Sequence, residues 1–106
     1  MMVFIETTFF TRYVLEYLSD EEQGSRQGHL IEHPDDGDII PGTGGIRKIR
    51  WGAKGRGKRG GVRVIYYWRT ARGHIYLLSI YGKNEADDLT QKEKDYLKKL
   101  VEAWNQ

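Results

Sequence analysis

A chain of 106 residues has room for one domain, because a second independent core would not fit. Apolar residues make up 39% and charged residues 30%, the composition of a globular chain. No apolar run approaches the ~20 residues of a membrane span, and Met1–Glu6 carries no basic leader, so no membrane anchor and no secretory signal are expected. Cysteine is absent, which removes disulfides, thiolate nucleophiles and cysteine–metal sites and suits a reducing cytoplasm. The net charge of +2 hides an asymmetry: residues 1–40 hold two basic and nine acidic side chains, whereas residues 41–85 hold eleven basic and one acidic. A cationic block of that density creates a local field that attracts a polyanion.

In chain order, Val3-Phe4-Ile5 predicts a short strand. Phe9, Phe10, Tyr13, Val14, Tyr17 and Leu18 recur at three- and four-residue spacing after Thr8, which predicts an amphipathic helix. Ser19-Asp20-Glu21-Glu22 has capping-box form and opens a second helix, weakened by Gly24 and Gly28 and ended by Pro34. Asp35–Asp38 and Pro41–Gly45 are loop chemistry. Ile46–Trp51 predicts a strand with Ile46, Lys48 and Arg50 on one face and Arg47, Ile49 and Trp51 on the other.

Gly52–Gly61 reads as a ten-residue connection carrying Lys54, Arg56, Lys58 and Arg59 among five glycines. Val62–Arg69 is the clearest strand, and Thr70–Gly73 is a turn. His74–Tyr81 is nearly continuous in apolar residues, as a strand buried on both faces would be. Gly82 breaks it and a polar connection follows. Thr90-Gln91-Lys92-Glu93 then opens a terminal helix whose apolar stripe is Tyr96, Leu97, Leu100, Val101 and Trp104. The expected architecture is a single α+β domain, residues 1–106. Its sheet is small and mostly antiparallel, an N-terminal strand plus a three-stranded meander. Two N-terminal helices and one C-terminal helix pack on one face of that sheet.

Two glycine motifs are weighed and rejected. Gly55–Gly60 fits G-x-G-x-x-G, and Gly52–Arg59 nearly fits the P-loop. Both patterns need a helix to follow, so that its N-terminus faces phosphate. A strand follows here, and Arg59 stands where the magnesium-binding hydroxyl belongs. His29 and His33 share a helical face without an obvious third ligand, and Asp35, Asp36 and Asp38 lack the EF-hand spacing. No metal and no cofactor are expected.

Arg63 interrupts an apolar strand beside the basic hairpin, and its planar, bidentate, permanently charged fork suits a phosphate. Lys48 and Arg50 share a strand face, and Lys83 follows the end of another strand. If these strands are adjacent, four cations converge. Trp51, Tyr67, Trp68 and Tyr81 are interleaved with them; each is either core packing or a platform on which a base stacks.

The run Gly42–Arg50, a Gly/Lys-rich hairpin, Gly61–Tyr67, Tyr76–Glu85 and Asp88–Thr90, in that order and spacing, resembles the RelE/ParE toxin superfamily, in particular its HigB-like branch. The resemblance implies a toxin of a type II toxin–antitoxin pair, one that enters the ribosomal A site and cuts mRNA. Its basic catalytic positions fall on Lys48, Arg50, Arg63 and Lys83. Beside these, the residues themselves make Lys54, Arg56, Lys58 and Arg59 of the hairpin, with Arg47, Trp51, Tyr81 and Asn84, the expected RNA- or ribosome-binding set. Its partners would be an antitoxin of the HigA-like, helix-turn-helix kind, the ribosome and mRNA. The base stays open: Lys48 or Lys83 within a cationic cluster is one solution, since neighbouring positive charge disfavours a protonated amine, and a tyrosine near the chain end is another. Two other functions stay open beside this one: a protein-directed poison of the gyrase-inhibiting type, and a non-catalytic RNA-binding module.

Overall fold

A computed structural model describes residues 2–53, 57–82 and 89–106, and for residues 53 and 57–60 the backbone alone. The elements run β1 (Val3–Glu6), α1 (Thr8–Tyr17), α2 (Asp20–Glu32), β2 (Asp38–Ile39), β3 (Arg47–Ala53), β4 (Gly57–Arg69), β5 (His74–Gly82) and α3 (Gln91–Trp104). The expected α+β class and the β3–β4–β5 meander are present. The sheet has five strands in the order β1-β5-β4-β3-β2. β1 runs parallel to β5, and the other pairs are antiparallel.

The helices start where their side chains supply acceptors for the first free N–H groups. Thr7 caps α1, and Ser19 with Glu22 and Thr90 with Glu93 form complete capping boxes at α2 and α3. α2 stops at Glu32, just ahead of Pro34, as the sequence predicts.

Three features differ from the expectation. First, helices cover both faces of the sheet. Val62, Val64 and Tyr66 of β4 pack with Phe10, Val14, Leu18 and Leu30 of the N-terminal helical segment. Ile65 and Tyr67 pack with Val101, Leu97 and Trp104 of α3. Both alternating sets of β4 are apolar, so each face needs its own cover. Second, part of the Asp35–Asp38 loop is an edge strand, because Asp38 pairs with Lys48 and Ile39 with Arg47. Thr43 closes the turn between β2 and β3: its hydroxyl donates to the Ile40 carbonyl and accepts from Ile46 N–H.

Third, the ten-residue connection is mostly strand. β3 continues to Ala53 and β4 begins at Gly57, with a register shift past Trp51. Gly61 allows this, because a Cβ there would collide with the Trp51 carbonyl. Tyr96, placed on the buried stripe of α3, is 64% exposed; Val101 carries the burial instead.

β5 contains a bulge. Ile65 pairs with Ser79 and Tyr66 with Leu77, so Leu78 is an extra residue. The bulge resets the alternation: Ile75, Leu77 and Ile80 face the α1–α2 side, whereas Tyr76, Leu78 and Tyr81 face the α3 side.

Candidate nucleic-acid interface

The alternation of β3 puts Ile49 and Trp51 into the α1–α2 core and leaves Lys48 and Arg50 on the α3 side. On β4 the same alternation puts Arg63 with Ile65 and Tyr67 on that side. Register then brings them together. Arg50 lies directly opposite Arg63, and Arg63 directly opposite Tyr81, in one row across three strands. The adjacent row is Lys48, Ile65 and Ser79, with Asp38 opposite Lys48 at the edge.

Asp38, Lys48, Arg50 and Arg63 line one open pocket of about 290 Å³. Among the described residues three cations share it with one carboxylate, and their formal charges sum to a positive value. The Arg63 Nη1 is buried and has no hydrogen-bond partner among the described residues. A buried donor left unsatisfied costs ~1–3 kcal/mol, more when charged, and an anionic oxygen in the pocket would relieve that cost. A larger groove of about 470 Å³ is lined by Phe9, Ile65, Leu78, Leu89 and Tyr96 among others, and its two charges, Lys92 and Glu93, are of opposite sign. Among the described residues it presents no converging charge of one sign, whereas the smaller pocket does.

The pocket rim is held from behind. The Tyr66 hydroxyl donates to the Pro34 carbonyl at 2.8 Å and accepts from Gly37 N–H at 2.9 Å. Arg47 Nη1 donates to the carbonyls of Asp35 and Gly37 at 3.0 and 2.8 Å. A Cβ on Gly37 would stand 2.8 Å from the Tyr66 ring, so the residue beside Asp38 has to be glycine for this approach. Burial pushes the Tyr66 hydroxyl above its ordinary pKa of 10.0, and the Gly37 hydrogen bond and Arg47 partly offset it.

Of the residues singled out from the sequence, Lys48, Arg50 and Arg63 converge, and Tyr81 stands beside them in register. Arg47 is engaged with the 35–37 backbone on the other side of β3. Trp51 is only 3% exposed and belongs to the α1–α2 core, so its ring packs against protein. Lys54, Arg56, Lys83 and Asn84 lie outside the described residues, as do the side chains of Lys58 and Arg59. His29 contacts Asp36 at 2.7 Å and lies 5.1 Å from His33, ring to ring. Among the described residues no three metal-type ligands cluster. Asp38 is the site residue that the sequence reading gave no role, because only the β2–β3 pairing brings it to the cations.

A five-stranded mixed sheet with helices on both faces and a cation-lined pocket on one of them defines a small α+β protein. Over residues 1–106 the chain matches the family described as the RelE toxin of the RelE / RelB toxin-antitoxin system. The chain belongs to the RelE toxin family: it is a toxin of a toxin–antitoxin system, and its partner is an antitoxin. Among the described residues no helix is long and apolar enough to cross a membrane.

Proposed function

We propose that the chain is a ribosome-dependent mRNA endonuclease of the HigB-like kind, cutting mRNA in the ribosomal A site and so stopping translation in the cytoplasm. The observation that carries this is the convergence of Lys48, Arg50 and Arg63 on one pocket, with a buried Arg63 nitrogen awaiting an acceptor. The ribose 2′-oxygen attacks the adjacent phosphorus, the bond from phosphorus to the 5′-oxygen breaks, and a 2′,3′-cyclic phosphate and a 5′-hydroxyl result. Negative charge builds on the equatorial oxygens. Preorganised guanidiniums stabilise it more than they stabilise the ground state, which is what accelerates the step.

Lys48, Arg50, Arg63 and Lys83 supply that charge in this reading. Lys54, Arg56, Lys58 and Arg59 hold the ribosome or message through phosphate contacts, and Tyr81 and Asn84 flank the message. Much of the substrate's orientation comes from the ribosome, so the isolated protein is a weak catalyst. The antitoxin is of the HigA-like, helix-turn-helix kind.

Mapping mRNA 5′ ends after induction tests the proposal. Codon-phased cuts in translated messages support it. DNA damage with intact messages identifies a gyrase-type poison instead, and growth arrest with neither identifies an RNA-binding module.

A further inference from the structure

We infer that Asp38 is a further catalytic residue, the base that takes the proton of the attacking 2′-hydroxyl; the inference rests on the endonuclease reading above. Asp38 is the one carboxylate among the described residues that line the cationic pocket. A pocket built only to hold phosphate gains nothing from a carboxylate, which repels the ligand. Its presence beside Lys48, Arg50 and Arg63 calls for a task that cations cannot perform. An ammonium or guanidinium group is a donor only, whereas a carboxylate is an acceptor.

The placement fits. β2 and β3 are adjacent strands, roughly 4.7–4.9 Å apart, and Asp38 lies directly opposite Lys48. Arg50 and Arg63 sit one row further along the same face. A phosphate held by the two arginines therefore has a carboxylate on its β2 side. The segment before Asp38 is fixed by the hydrogen bonds from Tyr66 and Arg47, and the segment after it by Ile40 N–H donating to the Ile46 carbonyl. Two strands of the sheet thus hold a two-residue edge strand in place, as a group that must meet a reacting atom requires.

The step balances. The 2′-hydroxyl proton passes to Asp38 as the new bond to phosphorus forms; the 5′-oxygen leaves and takes a proton from water, and Asp38 returns its proton to solvent. The charged groups around Asp38 are Lys48 and Arg50 on β3, Arg63 on β4, and Asp35 and Asp36 on its own segment, the last of these held by His29.

Single-turnover cleavage of mRNA on programmed ribosomes tests this. Asp38→Asn should slow cleavage by ~10²–10⁴-fold, the contribution of a general base, with ribosome affinity retained. Formate should restore activity to Asp38→Ala in a concentration-dependent way and do nothing for Arg63→Ala. Asp38→Asn cutting at the wild-type rate overturns the inference. So does an Asp38→Ala enzyme that is slow and insensitive to formate, since that marks Asp38 as only a cross-strand mate of Lys48. A wild type that cuts no message removes the proposed function itself.

Discussion

Arg50 and Arg63 face each other as direct register partners on β3 and β4. Like charges directly opposite one another on a sheet are destabilising, and here one of the guanidiniums also buries a nitrogen with no hydrogen-bond partner among the described residues. An anion lying between the two arginines would offset that repulsion.

The first consequence concerns Arg63, which stands on a rigid interior strand. Arg63→Ala should lower cleavage by ~10²–10³-fold, by analogy with losing one oxyanion donor. Arg63→Lys should restore part of the rate, because a point charge cannot reproduce the bidentate fork. Single-turnover rates on the ribosome check this. A folded Arg63→Ala protein that cuts at full rate shifts the assignment to Lys48, Arg50 and Lys83.

The second consequence concerns stability. Arg63→Leu removes the repulsion with Arg50, which should raise stability by ~0.2–1 kcal/mol, while cleavage is lost. Urea unfolding of the two proteins at low salt gives the difference. Adding inorganic phosphate should narrow it, because the anion stabilises only the wild-type pair. A less stable Arg63→Leu protein would mean that Arg63 is held by contacts other than the ligand it awaits.

How much of this was legible in the sequence depended on the range of the interactions. The period-two alternation put Lys48 and Arg50 on one face, since that needs only neighbouring residues. Their meeting with Arg63 needed the β3–β4 register, which the sequence left conditional on the strands being adjacent. Asp38 was out of reach: its strand has two residues, and its position depends on Tyr66, 28 positions further on, and on Arg47. The sidedness of the helices was missed for a similar reason. Val62–Arg69 is apolar on both faces, and the Leu78 bulge that resets β5 leaves no local signature.

The third prediction concerns the hairpin. Contacts between lysines or arginines and phosphate release counterions, so ribosome affinity should fall steeply with salt. Neutralising Lys54, Arg56, Lys58 and Arg59 together should flatten that slope in a binding titration. An unchanged slope would show that this hairpin does not touch phosphate.

The fourth concerns Tyr66. A hydroxyl whose pKa is raised on folding binds its proton more tightly in the native state. Stability is therefore retained below the unfolded value near 10 and lost as pH rises through the raised folded value. Tyr66→Phe should remove that share of the alkaline loss. It should also cost ~1–3 kcal/mol near neutrality, because Gly37 N–H is left without its acceptor. Denaturant unfolding of both proteins between neutral and alkaline pH measures both effects.

The most direct measurement uses purified toxin and a programmed ribosome holding one of two messages in its A site, identical except for a single 2′-deoxy sugar at the cleavage position. The toxin should bind both complexes with equal affinity, cut the all-ribose message, and leave a 2′,3′-cyclic phosphate on the upstream fragment. The 2′-deoxy message should stay intact. Cleavage of both messages at the same rate would contradict attack by the 2′-hydroxyl, and tight binding without cleavage of either would contradict the endonuclease assignment.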